Sequence, residues 1–345
     1  MTECPRALGE PGARGLIRAS VEDFQVEEQL GFEPDAGGEH LWLWVEKRGW
    51  NTQDVLTWLA KAARLPLRSV GVSGLKDRHA LTWQWFSLHL PGKPDPDLAP
   101  LPEGIRILRR QRHSRKLNRG THRRNRFELR ITALQGDRDA LQARLTRVSE
   151  SGVPNYFGLQ RFGRESRNVQ RAVAWLCEGG EAPRKQATRG LWLSALRSEL
   201  FNRVLARRVH EGCWDKVLPG DILQPEGSRG LFAADDDADS AARVARGEVH
   251  PTGPMPGAGG LSPTGESLAL EQQALAGCED WIAALARFGV EAARRATRLP
   301  VADMNWQFES DALQLAFSLP AGAFATSVLA ELINVEEVPH VAAGQ

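Results

Sequence analysis

The chain begins in a strand-rich pattern, passes through a long helical stretch and returns to strands at its end. Phe24 and Val26 alternate with Gln25 and Glu27, which predicts a strand with one buried face. Leu41 to Val45 predicts a second strand, wrapped by Trp42 and Trp44 on its other face. Ser69 to Val72, Leu81 to Leu90 and Phe127 to Leu134 read as further strands. Past Pro300, Met304–Phe308 and Leu313–Leu319 are joined by a tight Glu309-Ser310-Asp311 turn, the signature of a hairpin. A chain that leaves one pattern and comes back to it carries an insert. The expected fold class is α+β, with a helical insert inside the α+β domain.

The helices expected are few in the first part and frequent in the middle. Asn51 or Thr52 caps a helix to about Arg64, with Val55, Leu56, Leu59 and Ala62 on one side. Another starts near Asp137 and stops near Gly152 and Pro154. Asn168–Glu178, Leu191–Glu211, Ser267–Phe288 and Glu291–Arg298 all show helical spacing. They are interrupted by Asp235-Asp236-Asp237, read as a solvated loop, and by the Gly/Pro stretch Pro251 to Gly265. A last helix is expected from Ala325 to Asn334, and Pro91 to Pro102 reads as a surface connection.

Length and composition narrow the class. At 345 residues, 42% hydrophobic and 25% charged, the chain fits one large or two ordinary globular domains, not a disordered or collagen-like protein. The four cysteines, Cys4, Cys177, Cys213 and Cys278, lie at no metal-site spacing, and a reducing cytoplasm fits them. The first 15 residues lack the apolar core of a secretory signal. The uncharged run Ala312 to Ala330 contains Pro320 and Gly322, so no membrane span is expected there.

Charge is informative in its distribution. The net charge is +1, yet Gly104 to Phe127 holds nine Arg, one Lys, two His and no acid. Removing that strip leaves 34 basic against 43 acidic residues, a remainder of −9. A basic belt on a mildly acidic body points to a local anionic partner, and its arginines suit phosphate. Arg109, Arg110, Arg112, Arg115, Lys116, Arg119, Arg123 and Arg124 are the candidates to grip a nucleic-acid backbone.

No phosphate-binding glycine loop, dinucleotide fingerprint, zinc helix motif or serine-nucleophile elbow occurs. Carboxylates, arginines and aromatics remain as chemical tools, and neither a metal nor a nucleotide cofactor is expected. Asp77 stands out in the loop Ser73-Gly74-Leu75-Lys76-Asp77-Arg78-His79-Ala80, an anion at neutral pH between two cations. A loop Asp also serves as a turn former or a solvated ion-pair partner. The run Asn155-Tyr156-Phe157-Gly158-Leu159-Gln160-Arg161-Phe162-Gly163-Arg164 reads either as a packed turn, with Tyr156, Phe157 and Phe162 in the core, or as a substrate contact.

Gly74 to Ala80, together with the Asn155–Gly163 run, resembles the TruD family of tRNA pseudouridine synthases. Glu22 to Glu28, Leu191 to Ser198 and Leu319 to Ser327 match in the same order, so the resemblance spans nearly the whole chain. It implies a pseudouridine-synthase catalytic domain with a mixed, mainly antiparallel sheet, covering 1–151 and 301–345, and a mainly helical α+β insertion domain over 152–300. It implies cofactor-free isomerisation of uridine-13 of tRNA, in a cytoplasmic protein, with the monomer the expected form. By position, Asp77 falls on the family's catalytic Asp, Phe24 on an aromatic near the target base, and Asn125 and Phe324 on substrate contacts. Arg18 takes the place of a basic residue near that Asp, commonly Lys, and keeps the charge but not the shape. Around Pro251 to Gly260 the sequence departs from the family pattern. A non-catalytic RNA-binding or RNA-chaperone protein on the same scaffold is the alternative. It explains the basic strip but gives no reason for Asp77. A methyltransferase or nuclease would need a cofactor loop or metal-binding carboxylates.

Overall fold

The computed structural model describes residue 2 and residues 4–235 and 238–337. Asp236 and Asp237 of the acidic run lie outside the described residues. The chain divides into two compact units. One comprises Gly12–Gln142, Val301–Ala325 and Leu332–Gln345, the other Met1–Pro11, Ala143–Pro300 and Thr326–Glu331.

The first unit is built on strands β1 (Arg14–Ile17), β2 (Phe24–Gln29) and β3 (His40–Lys47), helix α1 (Thr52–Ala62), and strands β4 (Val70–Val72), β5 (Leu81–His89), β6 (Ile105–His113) and β7 (Arg124–Gln135). Helix α2 (Arg138–Ser151) follows. The second unit then supplies β8 (Val153–Pro154), α3 (Arg167–Cys177), α4 (Gln186–His210), β9 (Ile222–Pro225), β10 (Phe232–Ala233), α5 (Ala238–Ala245), β11 (Val249–Met255), α6 (Gly265–Ala274), α7 (Glu279–Arg287), β12 (Ala293–Ala296) and β13 (Arg298–Leu299). The described residues end with β14 (Ala302–Phe308), β15 (Leu313–Pro320), α8 (Ala325–Leu332) and β16 (Asn334–Glu337).

The returning hairpin completes the sheet of the first unit. Its ten strands include the path β14-β15-β7-β2-β5-β3-β6; β1 pairs with β7 and β16, and β4 with β5. The β2–β5 and β1–β16 ladders are parallel and the rest antiparallel, so the sheet is mixed and mainly antiparallel. Alternation on β3 sends Leu41, Leu43 and Val45 into a core with Val55 and Leu59 of α1, all of them fully buried. Trp42 and Trp44 face the other way and meet Trp85, with ring centroids 5.9 and 5.0 Å apart.

The second unit corrects several expectations. Ser267–Phe288 is two helices, α6 and α7, separated at Gly277, whose φ is +78°. The Gly/Pro stretch begins as strand β11, paired with β9 and β12 in a four-stranded sheet. Pro251, Gly253 and Pro254 hid it, because they are poor strand formers. Gly253 is there for space: a Cβ would sit 3.1 Å from the Phe201 ring. Glu291–Arg298 is strand, not helix. Arg294 and Arg295 point to opposite faces of β12, one to Glu271 and Thr252, the other to Asn155 and the Phe157 ring. Pairing across strands overrides the helical propensity of a short Ala/Arg run. Helix α5 and strands β9 and β10 were not anticipated, and the last helix stops at Leu332, two residues before β16.

The aromatic run of 155–163 is packed. Phe157 and Phe162 are buried with Leu196, Leu200 and Phe201. The Asn202 amide takes a hydrogen bond from Phe157 N at 2.9 Å and gives one to Phe157 O at 3.0 Å. Among the described residues no helix is long and apolar enough to cross a membrane.

Candidate active site

The Asp77 loop joins β4 to β5 and is fixed by its backbone. Lys76 N donates to Thr52 Oγ1 at 2.9 Å, and the Gln84 amide donates to Gly74 O at 3.3 Å. Thr52 Oγ1 in turn donates to Gln84 Oε1 at 2.9 Å, closing a small polar frame between α1 and β5. The Asp77 carboxylate divides its oxygens. Oδ1 accepts from His79 N at 3.1 Å, the turn-forming bond of a loop Asp. Oδ2 pairs with Arg18 Nη2 at 2.9 Å, and the side chain remains 34% exposed. The turn role and an anion open to a ligand therefore coexist in one residue.

Arg18 reaches Asp77 from the end of β1. Its φ of +59° is a left-handed conformation that costs a non-glycine residue roughly 1–3 kcal/mol, and such strain concentrates at functional sites. Its guanidinium also pairs with Glu337 at 2.9 Å and lies 4.2 Å from the centroid of the Phe24 ring. Phe24 is only 5% exposed, meets Phe127 edge-on and has a face of its ring covered by the Arg18 guanidinium. Asn125 is buried on β7 opposite Glu28 of β2, and its Oδ1 has no hydrogen-bond partner among the described residues. Phe324 stands at 36% exposure on the loop after β15, which is tied to the residue before β7 by Ala321 N donating to Arg123 O at 3.1 Å. Arg18 thus touches both Asp77 and Phe24. Neither Asn125 nor Phe324 is bonded or stacked to Asp77 or Arg18 among the described residues.

The basic strip divides in two. Its first half is the edge strand β6, and the fold brings acids to it that the local sequence lacks. Arg106 pairs with Glu46 at 3.1 Å, Arg109 with Glu33 at 3.5 Å and Arg112 with Asp95 at 2.7 Å. Arg110 is exposed, within 3.5 Å of Pro96 O. Its second half is the loop between β6 and β7. There Arg115, Arg119 and Arg123 are exposed, Arg124 at the start of β7 is half-buried, and none has a carboxylate within ion-pair distance among the described residues. Lys116 donates to Arg68 O at 2.6 Å.

The family model of "tRNA pseudouridine synthase D (TruD)" matches residues 5–180 and 184–332. The chain belongs to the TruD family. Its relatives include the tRNA pseudouridine synthase D of Ectopseudomonas mendocina, 50% identical over 96% of this chain and 94% of that one. The protein of that name from Azotobacter vinelandii is also 50% identical, over the same shares. A crystal structure of a Methanosarcina mazei protein described as tRNA pseudouridine synthase D superposes with a TM-score of 0.72 over 95% of both chains, at 20% identity, a likeness of fold.

In this TruD chain the floor beneath Asp77 holds charges that sequence reading missed. Glu28 is buried and pairs with Lys76 Nζ at 2.6 Å, and its other oxygen accepts from Trp85 N at 3.1 Å. Lys47, fully buried, donates to the main-chain oxygens of Asp77 and Trp50, each at 2.7 Å. Burial pulls the Lys47 ammonium down to about 8, against the opposing pull of the Asp77 charge. A signal for both was present. Glu28 shares a strand face with Phe24 and Val26, and Lys47 with Leu41, Leu43 and Val45. A charge on the apolar phase of a strand must have a buried partner.

Proposed function

We propose that this chain isomerises uridine-13 of tRNA to pseudouridine, with Asp77 as the catalytic carboxylate. The observation that carries the reading is the Asp77 side chain, aimed by Arg18 at 2.9 Å, tied down through its backbone, and still partly open to solvent. The reaction breaks the bond between C1′ and N1, turns the base, and joins C5 to C1′. N1 gains a proton and C5 loses one, so no electrons are exchanged and the proposed route uses no cofactor or metal. An Asp carboxylate serves it either by attacking C1′, as a retaining glycosidase nucleophile does, or by taking a proton from the sugar. Either role needs an anion held beside the ribose, and Arg18 supplies the hold.

The target base must leave its stack to reach such a carboxylate. Phe24 is the proposed stacking partner once Arg18 moves aside, and such a contact is worth about 1–3 kcal/mol. Asn125 is the proposed reader of the uracil edge, because its buried Oδ1, unpaired among the described residues, is an acceptor open to an N–H donor. Phe324 is proposed as a second base contact, and Arg109, Arg110, Arg112, Arg115, Lys116, Arg119, Arg123 and Arg124 as phosphate contacts. In this reading 1–151 with 301–345 is the catalytic domain and 152–300 the insertion domain of a monomeric, cytoplasmic enzyme.

The test is incubation with unmodified tRNA, followed by chemical mapping of pseudouridine. Conversion at position 13 with unchanged RNA mass is the expected result. Binding without conversion would return the RNA-binding alternative, and conversion elsewhere would move the target.

A further inference from the structure

Within the arginine loop, His122 is a polar residue that turns inward. His122 is 5% exposed, while its neighbour Arg123 faces solvent. Its main-chain N donates to Ser73 Oγ at 2.8 Å, and its Nδ1 lies 2.5 Å from the same oxygen. Gly120 N, two residues earlier, donates to Ser73 O at 2.8 Å. Three bonds thus converge on Ser73, which opens the loop that carries Asp77. The His122 Nδ1 is also 3.9 Å from Glu28 Oε1, the carboxylate that holds Lys76 beside Asp77. Gly74 leaves room for this crossing. A Cβ there would lie 2.9 Å from Lys76 Nζ and 3.0 Å from both Glu28 Oε1 and His122 Cε1.

We infer that His122 is a positioning residue, coupling the RNA-gripping loop to the loop that aims Asp77. The inference rests on the functional reading above and adds to it. Arginines on a surface loop supply attraction, but attraction alone does not register a carboxylate against one ribose. The Ser73–His122 bond gives a rigid path. When phosphates settle on Arg115, Arg119 and Arg123, the load reaches Ser73 and, four residues on, Asp77. Burial lowers the affinity of the His122 imidazole for a second proton, and Lys76 works in the same direction against Glu28. Geometry sets the contact: the buried ring turns its Nδ1 to the Ser73 hydroxyl.

The test compares His122→Leu, which fills the space without a polar atom, with His122→Asn, whose amide can replace the Nδ1 contact in either direction. His122→Leu should lower kcat about tenfold or more with tRNA affinity within twofold of wild type, since small misplacements of a reacting group have costs of that order. His122→Asn should recover most of kcat, and Ser73→Ala should add little to His122→Leu. Hydrogen exchange gives a readout that needs no turnover. In the wild type, tRNA should slow exchange over both 114–124 and 73–80; in His122→Leu it should slow only the first. Wild-type kcat in a folded His122→Leu, or tRNA protection of 73–80 that survives the substitution, would overturn the coupling. A wild-type protein that binds tRNA without converting it would sink the functional reading alone, and the exchange pattern would still decide the coupling. A wild-type protein that does not bind tRNA would overturn both.

Discussion

The floor under Asp77 and the arginine strip are both concentrations of charge, and they are built in opposite ways. Glu28, Lys76 and Lys47 are buried, few, and each committed to a named partner within 2.7 Å. The strip is on the surface, and its loop half has no carboxylate partner among the described residues. Buried charges act through geometry and their loss is steep. Exposed cations act through number and their loss is graded. The comparison therefore predicts two kinds of variant.

The steepest effect belongs to Asp77 itself. Asp77→Asn keeps the shape, the turn bond from His79 and the backbone tie to Lys47, but cannot attack C1′ or take a proton. Pseudouridine formation should fall by at least ~10³, with tRNA affinity close to wild type. Full activity in a clean Asn variant would remove Asp77 from the chemistry and leave the strip as the molecule's main functional feature. Next comes Glu28→Gln, which strands the Lys76 ammonium in a buried site. Breaking one side of such a pair costs roughly 3–5 kcal/mol, visible as an earlier urea midpoint. A shift near zero would mean that the floor is wetter than its burial implies.

Lys47 gives the floor a pH signature. Its folded-state affinity for a proton is depressed to about 8, from an ordinary value of 10.5. Between those values the unfolded chain holds a proton that the folded one has lost, so stability contributed by this group rises with pH. Below pH 8 both states are protonated and the desolvation penalty is felt in full. Lys47→Met should therefore flatten the rise in unfolding free energy between about pH 8 and pH 10. The same slope in the variant would assign the titration elsewhere.

How much of this was legible differs between the regions for a physical reason. The sheet was readable because period-two alternation is local: Phe24 and Val26, or Leu41, Leu43 and Val45, declare their face without reference to a partner. Asp77 stands out through motifs matched in order along the whole chain; its loop alone reads as readily as a turn former. The pairs Glu28–Lys76 and Ser73–His122 were not readable, because their members lie 48 and 49 residues apart and meet only when β2, β4, β5 and β7 assemble. The strip misled in the same way. It holds no acid in sequence, yet Glu33, Glu46 and Asp95 arrive from other strands and loops to pair with three of its ten cations. In the second unit β11 was hidden by two prolines whose missing N–H groups its pairing tolerates, and β12 by residues that favour helix in isolation.

The smallest expected effect separates the halves of the strip. Replacing Arg115, Arg119 and Arg123 by Gln should weaken tRNA binding and reduce the slope of log affinity against log salt by about 2, at roughly 0.7–0.9 per phosphate contact. The same replacement at Arg106, Arg109 and Arg112 should lower the slope by less than about 1, because each cation is already spent on a carboxylate and releases few counterions. Removing those three also uncovers Glu46, Glu33 and Asp95, so a modest loss of affinity without much loss of slope is the expected mark of the strand half. Equal slopes for the two triple variants would mean that RNA draws the strand arginines away from their acids. The strip would then act as one continuous track along β6 and the loop beyond it, and the acids would serve only to hold its side chains in place until RNA arrives.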